Sequence, residues 1–133
     1  MTTPNRQELR CKSILIVEDE AAIREPLQML LELEGYPVHT ASNGEEGLRV
    51  LRTIPHPCLI LLDLLMPVMT GAEFLEAKSQ DDAIASIPVC VVSGVADKPT
   101  LKDACTFLKK PIEFDSLLKF VRKFCGSPDK PQA

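Results

Sequence analysis

The chain has 133 residues and a formal net charge of −4, which suits one domain and leaves no basic field to draw it to DNA, RNA or an anionic membrane. Hydrophobic residues make up 45% and charged residues 26%, the mix of an ordinary soluble globular protein. No apolar run approaches the roughly 18 residues of a membrane helix, and Met1 to Cys11 holds no signal-peptide core, so the cytoplasm is the expected location.

Residues 1–11 form a polar lead. Ser13 to Val17 is a continuous apolar run, as expected of a central parallel strand covered on both faces. Ile23, Leu27, Leu30 and Leu31 then repeat at helical spacing, with Gly35 as terminator and Pro26 either in the first turn or at a small kink. Pro37 to Ala41 is a second short strand. Asn43 and Glu46 have capping-box spacing ahead of Leu48 and Leu51. Cys58 to Leu62 is another apolar strand, and Thr70 and Glu73 repeat the capping-box spacing before Phe74 and Leu75. Pro88 to Val92 is the fourth strand. Asp97 and Pro99 predict a short fourth helix. Thr106 to Leu108 is the fifth strand, and Phe114, Leu117, Leu118, Val121 and Phe124 give the apolar face of a last helix. Residues 126–133 are polar and Pro-rich, a frayed tail. The order specifies an α/β fold: a doubly wound, five-stranded parallel sheet with a shortened fourth helix, over residues 12–125.

Five cysteines stand at 11, 58, 90, 105 and 125, none in a CxxC pair. Cys58 and Cys90 lie in apolar runs and read as small buried hydrophobes in a reducing compartment. His39 and His56 are isolated and read as surface or strand-end residues.

In a parallel sheet the ligand site lies beyond the carboxyl ends of the strands. Strand one ends in Glu18-Asp19-Glu20, strand three in Asp63, strand four in Ser93-Gly94, and strand five in Lys109-Lys110-Pro111. Clustered carboxylates repel one another, and a hard divalent cation with oxygen ligands relieves that repulsion. An Asp carboxylate can act as the nucleophile in phosphoryl transfer, and a metal, a lysine and a hydroxyl can each take charge on one equatorial oxygen.

These residues carry a resemblance. The segments VEDE at 17–20, Asp63 to Gly71 (DLLMPVMTG), VSG at 92–94 and KP at 110–111 resemble receiver domains of two-component signalling, the CheY-like family, over about residues 13 to 125. The spacings agree: 44 residues from Asp19 to Asp63 and 30 from Asp63 to Ser93. The resemblance implies a phosphoacceptor switch that receives a phosphoryl group from a histidine kinase, or exchanges it with a histidine phosphotransfer protein, and then changes its binding of an output partner that the sequence does not name. It implies Asp63 as phosphoacceptor, with Lys110 and Ser93 assisting. Mg²⁺ or Mn²⁺ would be held by Glu18, Asp19, Asp63 and the backbone carbonyl of Leu65. Ser93 and Phe107 match the switch pair, Met66-Pro67 and Gly71 shape the loop after the acceptor, and the bond before Pro111 is expected to be cis. By the same resemblance Leu65 and Val95 would flank the path of the attacking water; both are apolar, which implies slow loss of the phosphoryl group.

Lys110 lies only 17 positions after Ser93, fewer than the family pattern, hence the short fourth helix. Glu18 replaces the commoner Asp, and Thr70 stands where Asp is frequent. Three other readings compete. A pseudo-receiver adaptor would have no need of the acid pair, Asp63, Ser93 and Lys110. A haloacid-dehalogenase-like phosphatase wants a second acid two residues after its nucleophile, where this chain has Leu65. A flavin-binding relative wants a Ser/Thr/Gly loop after strand one, where this chain has acids. The expectation is therefore a signalling domain, catalysing only its own phosphorylation and dephosphorylation, with no nucleic-acid or membrane partner of its own. Whether it stands alone or belongs to a longer chain stays open.

Overall fold

The computed structural model describes residues 13–64, 66–94 and 106–127. Within them five strands form one parallel sheet: β1 (Ile14–Val17), β2 (Val38–Ala41), β3 (Leu59–Asp63), β4 (Val89–Ser93) and β5 (Thr106–Lys109), in spatial order β2-β1-β3-β4-β5. The helices are α1 (Ala21–Leu33), α2 (Gly44–Leu51), α3 (Gly71–Ser79) and α4 (Phe114–Cys125). The expected α/β architecture is thus present. The segment in which a short helix was expected, 97–103, lies outside the described residues.

The strands read as unbroken apolar runs because both of their faces are covered. Successive side chains of a strand point to opposite faces. Leu15, Val17, Ile60 and Leu62 accordingly join Leu48, Leu51 and Phe74 in one cluster, beneath α2 and α3. Ile14, Ile16, Leu59 and Leu61 join Leu27, Leu31, Leu117 and Val121 in the other, beneath α1 and α4. Leu30, which shares the helical spacing of Leu27 and Leu31, is 41% exposed. Leu27 and Leu31 take the sheet face, and Leu30 is turned about 100° from Leu31 around the helix. Pro26 lies inside α1, past its first turn, where its missing N–H leaves the exposed Ala22 carbonyl to solvent.

The two expected capping boxes differ. At α3 the box is complete: Glu73 N–H donates to Thr70 Oγ1, and Thr70 N–H donates to Glu73 Oε1. At α2 only half forms. Glu46 N–H donates to Asn43 Oδ1, but the Glu46 carboxylate reaches one residue further back, to the Ser42 amide and hydroxyl. Ser42 offers two donors where the Asn43 amide offers one.

The reading of Cys58 as a lone buried hydrophobe is corrected. Cys58, just before β3, forms a disulfide with Cys125 at the end of α4. The packing of α4 brings the two residues together, and their 67-residue separation gives no sequence signal of it. Cys90 is buried in β4, as expected.

Candidate functional site

Asp63 ends β3 and is 5% exposed. Its neighbour β1 stops at Val17, so Glu18 and Asp19 fall at the same edge. One carboxylate oxygen from each of Glu18, Asp19 and Asp63 lies within 4.8 Å of the other two. From the far side, Lys110 Nζ comes within 3.1 Å of Glu18 Oε1 and 3.3 Å of Asp63 Oδ1. The Lys110 amide donates to the Ser93 carbonyl at 2.7 Å, and the Lys110–Pro111 bond is cis. Ser93 is fully buried at the end of β4, one residue beyond Val92, the register partner of Asp63.

The electrostatics follow from burial. Desolvation pushes the Glu18 carboxyl up from 4.5 to about 7; its hydrogen bond to Lys110 pulls the other way, and the charge of Asp63 adds to the rise. Desolvation alone would lower the Lys110 ammonium. The bond and charge of Glu18, with Asp63 behind them, outweigh it and hold Lys110 above its ordinary value. The site is an acid cluster compensated in part by one lysine.

Five of the expected residues thus share one edge: Glu18, Asp19, Asp63, Ser93 and Lys110. Phe107, expected as a switch aromatic, is half-buried on β5 and packs against the cluster beneath α2 and α3. Leu65 and Val95 lie outside the described residues. Met66 is buried and Pro67 exposed on the loop after Asp63. That loop passes so close to α3 that a Cβ on Gly71 would stand 2.7 Å from both the Asp63 carbonyl oxygen and Leu64 Cα.

Two features were missed. Arg24 Nη1 donates to the carbonyls of Glu18 at 2.8 Å and Asp19 at 3.3 Å. α1 has no side-chain cap at Glu20, and Arg24 instead grips the acidic loop from the second turn. The only signal was an arginine five residues after Asp19, a spacing that fits a solvated face equally well. Val68, at the loop's apex, has φ 71° and is 74% exposed, an uncommon conformation for a β-branched residue. Beside Lys110, an apolar groove of about 510 Å³ runs between α1 and the β5–α4 loop, lined by Ile23, Pro26, Leu30, Pro111, Ile112 and Phe114 among others.

Comparison with known proteins agrees with this geometry. A family model described as the response regulator receiver domain matches residues 14–122. A probable transcriptional regulator, ycf27, of Cyanophora paradoxa is 32% identical over 126 residues, covering 93% of this chain and 52% of the relative. The chain therefore spans about half the length of that relative. Among solved structures, the Thermotoga maritima response regulator TrrA in complex with Mg²⁺ and BeF is 30% identical, with a TM-score of 0.75 over 85% of this chain and 98% of that one. The Vibrio cholerae chemotaxis protein CheY4 is 28% identical, with a TM-score of 0.77 over 85% of this chain and 98% of that one. No helix among the described residues is long and apolar enough to cross a membrane.

Proposed function

The chain belongs to the response regulator receiver domain family, and on that premise we propose that it is a phosphoacceptor switch of a two-component phosphorelay, taking a phosphoryl group on Asp63. One observation carries the reading: the Asp63 carboxylate sits in a nearly buried acid cluster, within 4.8 Å of the carboxylates of Glu18 and Asp19, with Lys110 Nζ 3.3 Å away.

The donor set fits a hard divalent cation, since it offers oxygen only and carries excess negative charge. Glu18, Asp19 and Asp63 would hold Mg²⁺ or Mn²⁺, with the Leu65 carbonyl as a further ligand. Bound there, the ion supplies positive charge for the phosphoryl oxygens. An Asp63 carboxylate oxygen attacks the phosphorus of a phosphohistidine on a histidine kinase or histidine phosphotransfer protein. The new P–O bond forms as the P–N bond breaks, and the leaving imidazole takes up a proton. Lys110 holds charge on one phosphoryl oxygen and the Ser93 hydroxyl donates to another. Drawing Ser93 toward the phosphoryl group opens space beside β5, where Phe107 turns inward and alters the surface offered to an output partner. The domain acts on its own aspartate and not on a separate substrate. We place it in the cytoplasm, and with a net charge of −4 we assign it no direct nucleic-acid contact.

Beryllium fluoride, which mimics a phosphoryl group on a carboxylate, tests the reading. Fluorine NMR of the chain with beryllium, fluoride and Mg²⁺ should show protein-bound fluoride. The signal should be absent without Mg²⁺ and absent in Asp63→Asn. A wild-type chain with no bound fluoride in the presence of Mg²⁺ would favour the pseudo-receiver adaptor.

A further inference from the structure

Three fastenings meet at the last turn of α4, at the sheet edge opposite Asp63. Tyr36 Oη donates to the Gly126 carbonyl at 2.7 Å. Arg122 Nη2 faces Glu34 Oε1 at 3.6 Å. The third is the Cys58–Cys125 disulfide, whose Cα atoms stand 5.2 Å apart, within the span a disulfide bridges without backbone movement. The seating of α4 does not depend on the bond: Leu117, Leu118 and Val121 are buried in the cluster shared with β1 and β3. Opening it would leave the helix docked, with its last turn held by the two polar contacts and the packing of Phe124 against the same cluster. The two sulfurs also differ in access. Cys58 is 6% exposed, at the foot of β3, whereas Cys125 is the half-buried final residue of the helix.

We propose that Cys125 and Cys58 form a thiol–disulfide exchange site, through which a low-molecular-weight disulfide closes a covalent tie between the end of α4 and the foot of β3. The reachable Cys125 thiolate attacks the small disulfide, forming a mixed disulfide and expelling one small thiolate. The Cys58 thiolate then attacks the Cys125 sulfur and expels the second. Two cysteine thiols are oxidised, one small disulfide is reduced to two thiols, and the protons released by the cysteines pass to the departing thiolates. The tie closes a ring of 67 residues' separation and removes freedom from the end of the helix, on the side of the domain away from the acid cluster. A small thiol in excess reverses both steps. The inference is independent of phosphoryl acceptance on Asp63.

The test uses the full chain, first reduced, then held under native conditions in graded mixtures of oxidised and reduced glutathione. Free thiols are blocked, and the protein is read by intact mass and peptide mapping. The wild type should acquire the Cys58–Cys125 bond and lose it again in excess reduced glutathione, without denaturant. Cys58→Ser should stop at a glutathione adduct on Cys125, and Cys125→Ser should give neither the bond nor an adduct on Cys58. Amide exchange in the last turn of α4 should be slower in the oxidised wild type than in the reduced. Failure of the bond to form at every ratio would overturn the proposal. So would a bond that opens only after denaturant is added, which marks a permanent cross-link, or an unmodified Cys125 in Cys58→Ser.

Discussion

Lys110 sits closer to Glu18 than to Asp63, with Nζ 3.1 Å from Glu18 Oε1 against 3.3 Å from Asp63 Oδ1. The longer reach of a glutamate, compared with an aspartate, lets the first acid compete with Asp63, the proposed phosphoacceptor, for Lys110. Glu18 also accepts from the Glu20 amide at 3.3 Å. It is therefore both an acid whose carboxyl burial pushes up and a brace for its loop.

The first prediction concerns pH. The Glu18 carboxyl titrates near 7 in the fold and at its ordinary 4.5 in the unfolded chain. Between these values the native state binds more protons, so its stability falls as pH rises through the window, by up to about 1 kcal/mol per pH unit, and levels off above it. Urea denaturation with a metal chelator present should show Glu18→Gln gaining on the wild type across that window. The affinity of the wild type for Mg²⁺ should climb over the same range as Glu18 ionises. Parallel stability curves for the two proteins would show that Glu18 ionises freely in the fold.

A second prediction follows from the crowding of acids. With a chelator present at neutral pH, Asp63→Asn should be more stable than the wild type by about 1 kcal/mol, because it removes a charge that repels the ionised form of Glu18. Lys110 keeps Glu18 as its partner. Excess Mg²⁺ should erase or reverse the difference in melting temperature. A destabilised variant in chelator would mean that the Lys110–Asp63 contact outweighs the repulsion.

Third, the loop after Asp63 carries two opposite backbone demands. Val68 is held at φ 71°, where a left-handed conformation costs an L-residue roughly 1–2 kcal/mol. Glycine adopts that conformation freely but also loosens the unfolded chain, so Val68→Gly should stabilise by about 1 kcal/mol or less. Gly71→Ala should destabilise by about 2 kcal/mol, because its Cβ meets main chain that has little room to yield. It should also slow phosphorylation, since one of the atoms it meets is the carbonyl oxygen of Asp63. Thermal melts of the two variants should move in opposite directions.

Fourth, Arg24 positions the acid pair through two carbonyl contacts. Arg24→Ala should weaken Mg²⁺ binding by about tenfold, the low end of what outer-shell partners contribute at metal sites. Arg24→Lys should restore only part of this, because the lysine nitrogen lies one bond nearer the main chain than Nη1 and its ammonium is more strongly hydrated. Calorimetric Mg²⁺ affinities, set beside metal-free melting temperatures, separate loop positioning from a general loss of stability.

Much of this was legible in the sequence because parallel strands buried on both faces leave unbroken apolar runs, and the candidate site stands at their carboxyl ends. Glu18, Asp63, Ser93 and Lys110 were each found by asking what followed such a run. Contacts that depend on how helices seat were not legible. Leu30 fits the helical period as well as Leu31, yet only Leu31 meets the sheet. Cys58 and Cys125 become partners only once α4 has docked. Lys78 has the composition of a surface residue but is 1% exposed, with Nζ donating to the Ala85 carbonyl at 2.7 Å. Arg24 acts on main-chain atoms, which no side-chain motif records.

The most direct test of the central claim is the intact mass of the chain after incubation with a small-molecule phosphodonor and Mg²⁺. The account predicts one added phosphoryl group, lost in hydroxylamine as an acyl phosphate is, absent when Mg²⁺ is chelated, and absent in Asp63→Asn. A wild-type mass unchanged under these conditions, or a phosphoryl group that persists in Asp63→Asn, would contradict it.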